Sequence, residues 1–201
     1  ECLKAKKKVD PALFGIVQGS MYSDLRELSA AGLTSLNLDG YAVGGLSVGE
    51  PRDVMVEMME VTLPLIAESV PRYVMGVGKP QDILDGVLRG ADLFDCVLPT
   101  RNARNGTLFT SRGSVNIRNS RYRDDPAPVD PSCQCPLCTS YSRAYLRHLF
   151  QEKEIYGLRL ATLHNLSFYG LLMENVRTAI RENRLSSYAR EFLTNTEERD
   201  D

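Results

Sequence analysis

Three cysteines fall within six residues, Cys133-x-Cys135-x-x-Cys138, and a histidine, His164, follows 26 residues after the last of them. Three thiolates and one imidazole make a closed tetrahedral shell. That is the donor set of a structural zinc ion; a catalytic zinc keeps one coordination position open. A tight loop would supply three ligands and a later helix the fourth, so the metal would pin one to the other. Binding needs deprotonated thiols, so acid or a chelator should strip the ion. Spacing alone does not choose His164 over His148, although Tyr145-Leu146-Arg147-His148 reads as a helix surface. The chain has five cysteines, and an odd number with three clustered fits a metal site in the reducing cytoplasm better than a disulfide framework.

A second candidate is Asp95, set in Leu93-Phe94-Asp95-Cys96-Val97-Leu98. A carboxylate inside an apolar strand is costly unless paired. Alternation puts Leu93, Asp95 and Val97 on one face. Asp95 then either projects into an active-site mouth or is a structural carboxylate satisfied by backbone amides, Arg101 or Arg104, and the residues leave both open. Asp92 reads as structural and Asp39 as a turn residue. Gly44-Gly45-Leu46-Ser47-Val48-Gly49 would let backbone amides approach a flat ligand, or is simply a tight turn. Gly76-Val77-Gly78-Lys79 lacks the spacing of a phosphate loop, but Lys79 could meet a phosphate as a point charge. From Arg101 to Arg123 there are six Arg and no acid, which reads as a phosphate-binding stripe or a solvated face with a few ion pairs.

Four short runs rich in β-formers must position these groups: 12–18, 40–46, 72–77 and 92–98. Helical stretches at 22–33, 51–70 and 80–89 separate them. In the second, Val54, Met55, Met58, Met59, Val61 and Leu65 read as core filling rather than a cofactor box. The alternation predicts parallel strands with crossover helices, in an open doubly wound sheet or a (β/α) barrel. Gln18, Gly44-Gly45, Gly76-Val77-Gly78 and Asp95 sit late in the strands, where both architectures keep their chemistry. Four strands could not close a barrel alone. Residues 107–110 and 114–118 read as a hairpin, 124–136 as a loop, and 140–153, 161–183 and 187–193 as helices, with a frayed end at 194–201. The chain has 201 residues and a net charge of −2, so it is not a wholly basic nucleic-acid binder. No apolar run reaches the roughly 18–20 residues of a membrane span, and no signal peptide is visible. The chain opens without Met on Glu1-Cys2-Leu3-Lys4-Ala5-Lys6-Lys7-Lys8, which reads as the last turn of a helix and implies a preceding segment.

Together, FGIVQGS (14–20), DGYAVGGLSVGEP (39–51), PRYVMGVGKP (71–80), DLFDCVLPTRNARNG (92–106), CQCPLC (133–138) and HN (164–165) resemble the tRNA-guanine transglycosylases, in the right order over nearly the whole chain. The resemblance implies a (β/α)8 TIM barrel with an inserted zinc-binding subdomain, of which this chain carries the C-terminal half. Residues 1–99 would be the second half of the barrel, 100–164 the zinc subdomain with its hairpin, and 165–201 the closing helices. The implied reaction exchanges the wobble guanine of tRNA for a 7-deazaguanine, with Asp95 as nucleophile. A non-catalytic tRNA-binding zinc module is the rival reading, against which Asp95 speaks. Gln18, Gly44, Gly45 and Leu46 would read the base edge, and Tyr73 and Met75 would flank its ring. Gly76, Val77, Gly78, Lys79, Pro80, Gln81 and Asp82, with Thr100, Arg101, Asn102, Ala103 and Arg104, would contact tRNA. Cys133, Cys135, Cys138 and His164 would hold one structural zinc. A branched Val48 points to 7-aminomethyl-7-deazaguanine as the incoming base, where queuine users tend to have Gly. The family's acid/base Asp lies on earlier strands, so this chain alone should be nearly inactive. Homodimerisation is carried over from bacterial members.

Overall fold

The computed structural model describes residue 6 and residues 11–197, and the chain divides into two compact units, 1–96 and 97–201. The helical turn expected over residues 1–8 lies outside the described residues, Lys6 excepted.

The first unit is a parallel sheet of β1 (Phe14–Val17), β2 (Gly40–Val43), β3 (Arg72–Val74) and β4 (Leu93–Phe94), in the spatial order β1-β2-β3-β4. Helices α1 (Ser23–Thr34), α2 (Arg52–Thr62) and α3 (Pro80–Leu88) make the crossovers. The order follows the sequence, with no reversal between these strands. Right-handed crossovers that all step one way place their helices on one face of a sheet. β2 is buried along its length, as expected of a central parallel strand. Met55, Met58 and Met59 of α2 pack with Val43, Val74 and Val77 in the core, the filling role read from their spacing. Two anchors lock strand starts: exposed Asp92 accepts the Arg72 N–H at 2.9 Å, and buried Arg72 Nη2 donates to Ile66 O at 2.5 Å. Asp39 accepts the Leu13 N–H at 2.7 Å, as suits a turn carboxylate.

The strands are shorter than the apolar runs that announce them. β4 pairs only through Tyr73↔Leu93 and Val74↔Phe94. Asp95 therefore lies just beyond the strand, not in its middle, and is exposed rather than buried. β1 and β4 are the edge strands, and Ile16 and Leu93 on them are exposed, as are Leu25 and Leu28 of α1.

The second unit opens with a helix the sequence did not announce, α4 (Leu98–Asn105). Pro99 sits in its first turn and Gly106, at φ +93°, stops it. β5 (Thr107–Thr110) and β6 (Gly113–Asn116) form the expected hairpin. Then come α5 (Pro136–Ser140), between the expected loop and the helix expected from 140, α6 (Arg143–Gln151), α7 (Ile155–Arg181) and α8 (Leu185–Glu197). α7 begins six residues before the expected 161, and α8 carries on through residues expected to fray. Leu108, Ile117, Leu137, Leu146, Phe150 and Leu160 form this unit's core. Among the described residues no helix is long and apolar enough to cross a membrane.

Candidate active site and metal centre

In the first unit, the late-strand positions singled out in the sequence sit just beyond the C-terminal ends of their strands. Gln18 follows β1, Gly44 follows β2, Met75 and Gly76 follow β3, and Asp95 follows β4. Parallel pairing lines up these ends along one edge of the sheet.

Asp95 Oδ1 accepts the Tyr73 hydroxyl at 2.6 Å and the Gly76 N–H at 2.9 Å. The Tyr73 bond, and after it the Gly76 amide, hold the Asp95 carboxyl below the usual carboxylate range. The same bond pushes Tyr73 up to about 12, so it remains a donor across neutral pH. Gly76 takes φ +74°, a conformation that suits glycine and aims its N–H at the carboxylate. Sequence reasoning gave Tyr73 a ring-stacking role and did not foresee its bond to Asp95. The signal was parallel register: Tyr73 pairs with Leu93, two residues before Asp95.

The Gln18 side-chain amide lies against the Gly44-Gly45 turn. A Cβ on Gly44 would stand 2.6 Å from Gln18 Nε2, and one on Gly45 2.9 Å from Gln18 Oε1. Gly45 takes φ +69° and is exposed, while Leu46 is buried. Gly76 faces Leu46 O, 3.9 Å from where its Cβ would be, which brings the β2 and β3 turns together. Glu50 accepts the N–H groups of Ser47 and Val48, the latter at 2.9 Å, and ties the turn down.

The segments expected to meet tRNA divide in exposure. Gly76 and Lys79 are exposed and Met75 and Gln81 half-buried, whereas Val77, Gly78, Pro80 and Asp82 are buried. Asp82 accepts from Arg52 Nε at 2.8 Å, so its carboxylate serves α3 and α2. On α4, Arg101 and Arg104 are exposed, Thr100 and Asn102 half-buried, and Ala103 fully buried. None of the six Arg between 101 and 123 has an ion pair among the described residues. Arg118 lies over the Phe150 ring at 5.2 Å and Arg121 over Tyr122 at 4.9 Å, holding both cations at the surface.

In the second unit, Cys133, Cys135, Cys138 and His164 come together with their ligand atoms all within 4.8 Å of one another. His164 Nδ1 lies 3.7, 3.4 and 3.3 Å from the three sulfurs in that order. A tetrahedral zinc with its usual bond lengths holds sulfur and nitrogen about 3.6 Å apart. His148 is exposed on α6, so geometry makes the choice that spacing left open. His164 Nε2 lies 2.8 Å from Phe109 O. A carbonyl only accepts, so Nε2 carries the proton and Nδ1 turns a lone pair toward the sulfurs, the usual arrangement behind a metal-bound imidazole. The cysteines also share protons: the contact with Cys138 pulls Cys135 far below the usual thiol range, while that contact and burial push Cys138 up. Crowded thiols that cannot all ionise together are what a divalent cation would relieve. Asp130 N donates to Cys138 Sγ at 3.4 Å, and the buried Asp130 carboxylate accepts the N–H groups of Ser111 (2.7 Å) and Ser132 (2.8 Å), joining the hairpin turn to the cysteine loop.

The neighbour of His164 completes the join. Asn165 is fully buried; its Oδ1 accepts the Phe109 N–H at 3.1 Å, and its Nδ2 donates to Pro99 O (2.9 Å) and Thr107 O (3.1 Å). His164 and Asn165 thus grip both backbone groups of Phe109, as a neighbouring strand would.

The queuine tRNA-ribosyltransferase family matches over residues 1–198. The chain belongs to that family. A queuine tRNA-ribosyltransferase of Halothermothrix orenii is 53% identical over 192 residues, covering 96% of this chain and 52% of that protein. Those of Bacillus subtilis and Shewanella oneidensis are 55% and 56% identical over 193 and 183 residues, covering 96% and 91% of this chain and 51% and 49% of their own. The chain thus spans about half the length of the curated relatives it matches.

Proposed function

We propose that this chain is the part of a tRNA-guanine transglycosylase that carries the nucleophile and the zinc. The observation that carries the reading is Asp95: a carboxylate held by Tyr73 and Gly76 at the end of a parallel strand, at the same C-terminal end of the sheet as Gln18 and the Gly44-Gly45 turn, in a member of the queuine tRNA-ribosyltransferase family. An Asp95 oxygen attacks C1′ of a flipped-out guanosine as the bond from C1′ to N9 breaks, and guanine leaves with a proton. N9 of the incoming base then attacks C1′, loses its proton and releases the carboxylate. The proton moves through a second carboxylic acid, which the family resemblance places on earlier strands. An anionic side chain also stabilises the oxocarbenium-like charge on the sugar.

Gln18 and the Gly45 and Leu46 amides read the base edge, and Tyr73 and Met75 border its ring. Exposed Lys79, Arg101 and Arg104, with the backbone of 76–82 and 100–104, meet tRNA; buried Val77, Pro80, Asp82 and Ala103 hold that backbone in place. Val48 is 77% exposed at the turn, where it limits the incoming base to 7-aminomethyl-7-deazaguanine. Cys133, Cys135, Cys138 and His164 hold one structural zinc, which stiffens the scaffold and takes no part in the reaction. The first unit is the second half of a (β/α)8 barrel, which the sequential strand order and the exposed apolar edges favour over a doubly wound sheet. The second unit combines the zinc subdomain with the closing helices. The enzyme works as a homodimer in the cytoplasm.

The test uses the enzyme that carries this chain, tRNA and radiolabelled guanine. Asp95→Ala should abolish exchange and covalent tRNA capture while tRNA still binds. Exchange at the normal rate would remove Asp95 as nucleophile.

A further inference from the structure

Arg26 of α1 has no solvent exposure, and the reaction described above gives it no part. Its Nε donates to Ser20 O at 2.8 Å and its Nη2 to Gly44 O at 3.2 Å, while Nη1 has no partner among the described residues. Burial lowers the proton affinity of this guanidinium, and the charge of Glu50 partly restores it. Such a group is costly to bury, and Met would fill the same space without that cost. The backbone also makes room for it. Gly19 takes φ +149°, and a Cβ there would stand 2.6 Å from Arg26 N and 2.8 Å from Arg26 Cγ. What the guanidinium adds over Met is its donors, and one of them reaches the Gly44-Gly45 peptide.

A trans peptide is planar, with its C=O and N–H pointing opposite ways. Holding the Gly44 oxygen toward the protein interior therefore turns the Gly45 N–H outward, at an exposed residue whose φ of +69° allows it. Glu50 pins the far side of the turn through Ser47 and Val48. Between the two anchors, the Gly45 and Leu46 amides have no hydrogen-bond partner among the described residues.

We propose that Arg26 is a positioning residue for substrate recognition: by holding the Gly44 carbonyl from behind, it aims the Gly45 N–H at an acceptor on the edge of the bound base. This rests on the reading that the Gly45 amide faces the base. The strongest acceptor on guanine away from the glycosidic nitrogen is its exocyclic oxygen, which 2-aminopurine lacks.

The test measures dissociation constants of guanine and 2-aminopurine, together with kcat, the KM for tRNA and thermal melting, in the enzyme that carries this chain. Wild type should prefer guanine by about tenfold, the worth of one aligned hydrogen bond. Arg26→Met should weaken guanine by about that factor, leave 2-aminopurine within about twofold and leave the KM for tRNA unchanged. Arg26→Lys, which keeps one cationic donor, should recover part of the preference. If Arg26→Met does not fold, Arg26→Lys decides, with selective loss of guanine binding supporting the role. Equal weakening of both bases, or a loss of kcat and tRNA affinity that tracks melting, overturns it and leaves base reading by the amide intact. Equal binding of both bases by wild type overturns the base-reading assignment itself.

Discussion

Replacing Asn165 by Ala tests whether the grip on Phe109 braces the metal-bearing unit. The change removes two donations, to Pro99 O and Thr107 O, and one acceptance, from Phe109 N, all at a fully buried residue. Each bond contributes about 1 kcal/mol net, and an orphaned buried N–H adds a penalty of similar size, so the loss should be about 3–5 kcal/mol. That is a large fraction of the roughly 5–15 kcal/mol that holds a domain together. Guanidinium unfolding of the zinc-loaded protein, followed by circular dichroism, should show the midpoint falling at constant slope. Asn165→Asp should do no better, because its carboxylate keeps one acceptance but faces two carbonyl oxygens. A loss below about 1 kcal/mol for Asn165→Ala would mean that water replaces all three bonds and that the clamp contributes little.

Tyr73→Phe removes the main cause of the low Asp95 pKa, so the carboxyl should move up toward the usual carboxylate range. A depressed carboxyl contributes above its ordinary pKa and loses that contribution as pH falls through the lowered value. The acid limb of the exchange rate should therefore move to higher pH in the variant, while the rate near pH 7 falls only through poorer orientation. An unmoved limb would mean that the phenol does not hold the carboxylate. Elemental measurement should find about one zinc per chain, and Cys135→Ser or a chelator should lower the melting temperature and release the metal below about pH 5; unchanged melting on metal loss would end the bracing role. Asp95→Asn keeps the Tyr73 and Gly76 contacts in shape but is not a nucleophile, so exchange should fall by at least about a thousandfold; trapping of a covalent tRNA adduct by this variant would contradict the mechanism.

Much of this site was legible from residue type and spacing. The cysteine triplet pointed to a metal-ligand cluster because few other arrangements tolerate three thiols so close together, and the fold gathers it with His164. The choice of His164 over His148 was not legible, because it depends on α7 carrying a residue back to the hairpin, a long-range contact that leaves no local pattern. The four strands were found by their β-formers but drawn too long. An apolar run shows which residues want burial, whereas pairing ends where the neighbouring strand ends, as β4 does after Phe94. That error buried Asp95 in expectation when the fold exposes it. α4 was missed because most of its residues are polar, and only Pro99 and Gly106 marked its ends. The roles of Tyr73 and Arg26 were invisible, since both act through hydrogen bonds to partners 22 and 18 residues away.

Cys96 directly follows Asp95, and its sulfur occupies the space that any side chain on Gly78 would need: a Cβ there would lie 1.9 Å from Cys96 Sγ. One missing methyl thus sets how deeply the end of β4 can seat. Even alanine at 78 would lever the thiol outward and carry the adjoining carboxylate away from Tyr73. Alkylating that thiol would do the same in the unaltered protein. The site's alignment is therefore guarded by an absence of atoms.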